Sequence, residues 1–147
     1  MAQQGGFRGG VFISYRRDPA FEDARKLHGL LKARLGEHRV FFDQRAIPAG
    51  AGFPEEIETA LRQAHLVLFV IAPGWAEEFH KREKVEGVDW VRREVQITQE
   101  RRRDGMVNPP NVRVALVGGG KMPAAHELPD ELGWLASINA YRPCNGD

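Results

Sequence analysis

One glutamate stands where the surrounding pattern calls for an apolar residue. Trp90, Val91, Val95, Ile97 and Thr98 recur at the spacing of an amphipathic helix. At about 100° per residue, Glu94 falls near the centre of their stripe. Its helical neighbours at three and four residues are Trp90, Val91, Ile97 and Thr98, none of them basic. A carboxylate turned toward a core is costly unless a distant cation pairs with it or a ligand requires it. Spacing alone leaves two readings open. One is a buried ion pair to an arginine such as Arg16 or Arg17; the other is a catalytic or ligand-binding role.

Other chemistries fail on their own terms. Gly118-Gly119-Gly120-Lys121 resembles a phosphate loop in composition but lacks the GxxxxGK[ST] spacing and an immediate helix, so a plain turn is expected. His28, His38, His65, His80 and His126 form no ligand-spaced pair and no evident partnership with a nucleophile. Cys144 is the single cysteine, so neither an internal disulfide nor a cysteine-based zinc site is available, and no metal is expected. A phosphoacceptor aspartate would close the third strand, where Ala72-Pro73 stands instead. A flavin phosphate would want hydroxyls and glycines after the first strand, where Tyr15-Arg16-Arg17-Asp18-Pro19 stands.

The elements that must position Glu94 follow from periodicity. Strands are predicted at Val11–Tyr15, Val40–Phe42, Leu66–Ala72, Val112–Val117 and Ile138–Tyr141. Helices are predicted around Ala24–Leu35, stopped by Gly36, around Ile57–Ala64, and from an Asp89 N-cap to about Arg103, with a weak one near Leu128–Ala136. Asp104-Gly105 and Pro109-Pro110 close the third helix. Pro73–Val88 reads as a polar connection, and Asp43–Phe53 as a long loop bearing Pro48, Gly50 and Gly52. Leu66–Ala72 is apolar on both faces, as in a central parallel strand covered by helices. The expected class is α/β, a flavodoxin-like open five-stranded parallel sheet in the order 2-1-3-4-5. Ligands of such sheets bind beyond the carboxyl ends of the strands, which directs attention to Tyr15–Asp18, Asp43 and Pro73–Trp75. The helix face with Arg92, Arg93, Gln96, Gln99 and Arg103 reads as a solvated surface or as a contact for another subunit.

Composition bounds these readings. The chain has 147 residues, room for one domain. Twenty-one Lys+Arg against 20 Asp+Glu leave a net charge of +1, no footprint for nucleic acid or an anionic membrane. The longest apolar run, Leu66–Pro73, falls far short of the roughly 20 residues that span a bilayer. Met1–Gly6 has no apolar stretch like a signal peptide, so a cytoplasmic setting is expected. Residues 1–9 read as a flexible leader, 10–143 as the folded domain and 144–147 as a tail.

In order along the chain, several segments are similar to one family. Val11-Phe12-Ile13-Ser14-Tyr15-Arg16-Arg17-Asp18 looks like the first box of a bacterial Toll/interleukin-1 receptor (TIR) domain. Val40-Phe41-Phe42-Asp43 through Ile47-Pro48-Ala49-Gly50 looks like the second box and its BB loop, and Asp89-Trp90-Val91-Arg92-Arg93-Glu94 matches WxxxE. Met122-Pro123, Leu128-Pro129 and Asn139-Ala140 are also typical of bacterial members. The Phe-Trp pair of the eukaryotic third box has no clear counterpart, Gly133-Trp134 being the nearest approach. The resemblance covers about Gly10–Pro143.

It implies an NAD+ nucleosidase that releases nicotinamide with ADP-ribose or a cyclic isomer, Glu94 being catalytic. NAD+ is then the substrate, with no separate cofactor. Tyr15, Trp75 and Trp90 would offer aromatic faces to nicotinamide or adenine, although rim packing suits Trp90 equally. Arg16 and Arg17 would meet the pyrophosphate, with pairing to Asp18 or Asp43 as the alternative. Ser14 and Asp43 would bind ribose or hold the loop. Ile47, Pro48, Gly50 and Phe53 would belong to a loop that gates the site or mediates assembly. Also implied are TIR–TIR self-association, a fused or separate sensor, and a role in antiphage defence. A second implication is a non-catalytic module acting through homotypic assembly.

Overall fold

The computed structural model describes residues 7, 9–43, 54–85, 87–103 and 109–142. Five parallel strands form one sheet: β1 (Val11–Tyr15), β2 (Val40–Phe41), β3 (Leu66–Ile71), β4 (Asn111–Leu116) and β5 (Ala140–Tyr141). Their spatial order is β2-β1-β3-β4-β5, as the alternation of strand and helix patterns predicts. β1 lies between β2 and β3, with Val11 beside both Val40 and Leu66. The strand order reverses at β1, so its carboxyl end opens onto the crevice where such sheets bind ligands.

Side chains alternate between two core layers with the strand period of two. Val11, Ile13, Val40, Leu68, Val70 and Ala115 face α1 (Arg17–Leu35), which buries Ala20, Ala24 and Leu27 against them. Phe12, Phe41, Val67, Phe69, Val112 and Val114 face the opposite layer. That layer is built by α2 (Glu55–Gln63), α3 (Trp75–Arg82), α4 (Trp90–Arg103) and a 3₁₀ segment at Asp130–Ser137. α1 ends at Gly36, whose φ of 93° suits glycine and whose N–H reaches the Lys32 carbonyl at 2.9 Å. Gly10 is needed for a different reason. A Cβ there would lie 2.2 Å from the Arg39 carbonyl oxygen, where the chain enters β1.

The structure corrects several boundaries. Pro73–Val88 is not a plain connection, because α3 occupies Trp75–Arg82 within it. Trp75, Ala76 and Phe79 fall on one side and are buried, which outweighs the charged composition around them. The weak helix near Leu128–Ala136 is 3₁₀ at Ala125–Glu127 and Asp130–Ser137. α1 spans Arg17–Leu35 but is not helical at Asp18 and Pro19, so its regular turns begin at about Ala20, ahead of the first expected apolar position at Ala24. Gly118 and Gly119, at φ of 58° and 84°, form a tight turn closed by the Gly120 N–H on the Val117 carbonyl at 2.8 Å. Residues 104–108, the chain termini and the loop residues Ile47, Pro48, Gly50 and Phe53 lie outside the described residues.

Arg101 departs from the exposed character of its arginine run. It is 9% exposed and donates to the Leu61 and Ala64 carbonyls at 2.8 and 2.7 Å, capping the end of α2. Arg101→Met keeps the buried stem and orphans both acceptors, so it should destabilise the chain by about 2 kcal/mol. Urea denaturation checks this; an unchanged midpoint would mean that the carbonyls find other donors.

Candidate active site

The carboxyl ends of β1 and β2 and the first turns of α4 converge on one point. β1 delivers Ser14 and Tyr15, followed by Arg16 and Arg17. The segment after β2 delivers Asp43, and α4 delivers Trp90, Val91 and, one turn on, Glu94. α4 buries Trp90, Val91, Glu94, Val95, Ile97, Thr98 and Arg101, so the helical spacing located Glu94 correctly within the apolar stripe. Glu94 is 7% exposed. Its Oε1 accepts a 2.5 Å hydrogen bond from the Ser14 hydroxyl, itself buried. Among the described residues it makes no ion pair, so of the two readings left open by spacing, the buried pair with Arg16 or Arg17 is not formed.

The lack of an ion pair among the described residues has an electrostatic consequence. Burial is the main cause that pushes the Glu94 carboxyl up to about 8. The Ser14 hydrogen bond opposes the shift, Asp43 and Asp89 add to it, and Arg16 opposes it weakly. Near neutrality the resting side chain is therefore mostly uncharged.

Arg16 is held elsewhere. Its guanidinium donates in a fork to both carboxylate oxygens of Asp89 at 3.0 and 3.1 Å, and its Nε donates to the Trp75 carbonyl at 3.3 Å. The same group lies 4.5 Å over the Phe79 ring. Asp89, rather than Asp18 or Asp43, is thus its partner. Meanwhile the Asp89 carbonyl accepts the Arg93 N–H at 3.0 Å, so Asp89 starts α4 with its backbone while its carboxylate holds Arg16. The Tyr15 hydroxyl donates to the Asp43 carbonyl at 2.6 Å, and its proton is held to about 12, chiefly by burial. Arg17 lies 4.4 Å over the Phe21 ring.

Two adjoining cavities meet at Tyr15, Arg17, Trp90 and Val91. The inner one, about 40 Å³, is also lined by Phe12, Ile13, Asp43, Ile57 and Glu94. It has room for a water or two. The outer cleft, about 400 Å³, is completed by Arg16, Asp18, Glu78, Arg82 and Asp89. Of the residues expected at the site, Tyr15, Arg17, Asp43, Trp90 and Glu94 line the inner cavity, Arg16 borders the outer cleft, and Ser14 lies behind Glu94. Trp75 stands apart: its ring is 3% exposed, packed edge-on against Phe69 and Phe79. Sequence reasoning missed Glu78 and Arg82, paired at 2.9 Å on α3. Their four-residue spacing was available as a signal, but the segment around them read as a connection. Among the described residues, no group of three or more His, Cys, Asp or Glu is placed to hold a metal ion. No helix among them is long and apolar enough to cross a membrane.

The family model described as "TIR domain" matches residues 11–136. Two solved structures share the fold. The TIR domains of the activated Roq1 resistosome directly recognising the pathogen effector XopQ align with a TM-score of 0.64 at 14% identity, over 95% of this chain and 92% of theirs. A metazoan TIR-STING receptor from C. gigas aligns with a TM-score of 0.53 at 20% identity, over 95% of this chain and 39% of its own. No curated protein matches the sequence.

The raised Glu94 carboxyl fixes a sign for stability. From its ordinary value of 4.5 to about 8, the folded chain keeps a proton that the unfolded chain has lost. The contribution is therefore full below 4.5 and is lost as pH rises through 8, at up to about 1.4 kcal/mol per pH unit. Glu94→Gln should lack this slope, so in urea melts the stability of the wild type relative to the variant should fall as pH rises from 5 to about 8. Parallel profiles would mean that Glu94 titrates as an ordinary surface carboxyl.

Proposed function

The chain belongs to the TIR domain family, and from that premise we propose that it cleaves the nicotinamide–ribose bond of NAD+, with Glu94 as the catalytic carboxylate. The observation that carries the reading is a buried carboxyl facing a cavity at the strand ends with no ion-pair partner among the described residues. A structural carboxylate in an apolar stripe would be expected to have a cation beside it. A catalytic one can leave that place to its substrate.

NAD+ brings such a charge. Its pyridinium ring is cationic and would favour the ionised form of Glu94 on entering the inner cavity. As the C1′–N bond breaks, nicotinamide leaves as a neutral molecule and needs no strong general acid. Positive charge then passes to the ribose, which becomes oxocarbenium-like, as in glycoside cleavage. Glu94 stabilises that charge in a site with little competing water and orients the attacking water or adenine. Products are ADP-ribose or a cyclic isomer.

The outer cleft has the volume of a small-molecule site and suits the ADP portion. Arg17 and Arg82 would meet the pyrophosphate, while Arg16 holds Asp89 and sets the position of α4. Tyr15 and Trp90 would flank the pyridinium. At about 40 Å³ the inner cavity is too small for a nicotinamide ring, so the wall bearing Tyr15 and Trp90 must yield on entry. Self-assembly through TIR–TIR contacts would supply that change, in keeping with the resistosome in which the similar Roq1 domains were solved. A sensor, fused or separate, would trigger assembly during phage infection, in the cytoplasm, where NAD+ loss stops the host cell. The small inner cavity also favours a second reading, a non-catalytic module acting through homotypic assembly.

Nicotinamide release from NAD+ by the protein held on a multivalent scaffold distinguishes these readings. The wild type should turn over, and Glu94→Ala should lose at least a hundredfold in rate, about 2.7 kcal/mol of transition-state stabilisation, while remaining folded. Equal rates would remove Glu94 from catalysis, and no release from either protein would favour the interaction module.

A further inference from the structure

Ser14 is out of character for its position on β1. It follows Phe12 on the same face of the strand, and that face packs into a layer made by Phe41, Phe69, Val91 and Val95. Ser14 is 1% exposed, and its neighbour on β3 is Phe69. An apolar residue would fill the place with no need to satisfy a hydroxyl. The hydroxyl there donates to Glu94 Oε1 at 2.5 Å, across 80 positions of sequence. No second hydrogen bond to the Glu94 carboxyl is made among the described residues.

The surroundings give that bond unusual weight. Asp43, after β2, and Asp89, at the start of α4, oppose charge on Glu94; Arg16, at the end of β1, favours it but is forked onto Asp89. The Tyr15 hydroxyl is turned to the Asp43 carbonyl. α1 contributes Arg17 to the cavity, stacked over Phe21, α2 contributes the apolar Ile57, and α4 itself contributes the apolar faces of Trp90 and Val91. Ser14 is thus the one neutral donor bonded to the carboxyl among the described residues.

We propose, resting on the reading of Glu94 as the catalytic carboxylate, that Ser14 is its positioning residue: the hydroxyl fixes Oε1 in one place and sets the pH at which the carboxylate becomes available to substrate. A hydroxyl donates more strongly to a carboxylate than to a neutral carboxyl, so its loss favours the protonated form. It also frees the side chain to rotate about the cavity.

The test has two readouts. The first follows the Glu94 carboxyl carbon by ¹³C NMR across pH in the resting protein, the signal being identified by its loss in Glu94→Gln. Ser14→Ala should raise the titration midpoint by about one unit, a tenfold weaker acid, and Ser14→Thr, which keeps the hydroxyl, should restore it. The second readout is kcat/KM for nicotinamide release across pH. Ser14→Ala should fall about tenfold below its midpoint and recover toward the wild type at alkaline pH. A purely structural role would instead give a uniform loss at every pH. If Ser14→Ala fails to fold, Ser14→Cys has nearly the same volume with a weak donor and should move the midpoint in the same direction. An unmoved midpoint in a folded variant overturns the role of Ser14, whatever becomes of the NAD+ reading. A moved midpoint with no turnover by the wild type overturns the NAD+ reading and keeps the Ser14–Glu94 coupling.

Discussion

A carboxyl buried with no ion-pair partner among the described residues is the constraint to which the rest of the site responds. α4 must turn one face to the sheet to bury Trp90, Val91, Val95 and Ile97. Glu94 lies on that face, so the packing that holds the helix also removes water from the carboxyl. A charged form would need an opposite charge in the interior. Arg16, whose charge favours ionisation of Glu94, is committed to Asp89. Among the described residues, Glu94 is left with one hydroxyl and a small cavity. This is an unfavourable resting place for a carboxylate and a suitable one for a group that becomes charged only with a cationic partner.

The Arg16–Asp89 fork explains why the arrangement persists. Both side chains are about nine-tenths or more buried, and their two parallel bonds join the end of β1 to the residue that opens α4. The Nε bond to the Trp75 carbonyl adds the start of α3 to the same junction, and Phe79 covers the guanidinium face. Three elements are thereby fixed around the cavity by one side chain. Lysine could not reproduce this, having neither the planar fork nor the stacking face. Of the two readings for Arg16, pyrophosphate contact or pairing with a carboxylate, its fork onto Asp89 favours the second, with Asp89 in place of Asp18 or Asp43.

The fold was legible because its strongest signals are local. Leu66–Ile71 is apolar on both faces, and the helix stripes carry clear periods, so the class and strand order could be read directly. Glu94 was legible for the same reason, as a charged residue that breaks a helical stripe. The partners were not. Ser14 is 80 positions from Glu94, and Arg16 is 73 from Asp89, so no spacing rule joins them. α3 was hidden because Glu77, Glu78, His80, Lys81 and Arg82 dominate its composition, while only tertiary packing shows that Trp75 and Phe79 share a buried side. Trp75 follows the carboxyl end of β3, which is why it was named for the site, yet its ring lies in the core; reading its segment as a connection kept Glu78 and Arg82 out of the site.

If Glu94 acts on NAD+ as proposed, it rests uncharged and is ionised by the cation of its ligand. Calorimetry of binding tests it directly, using carba-NAD+, which keeps the pyridinium charge but cannot form the oxocarbenium. Titrations at pH 7 in buffers of different ionisation enthalpy count the protons exchanged. Nearly one proton should be released per ligand bound, and none in Glu94→Gln. Binding with no proton release would contradict it, because Glu94 would then be charged before the ligand arrives or remain neutral beside it.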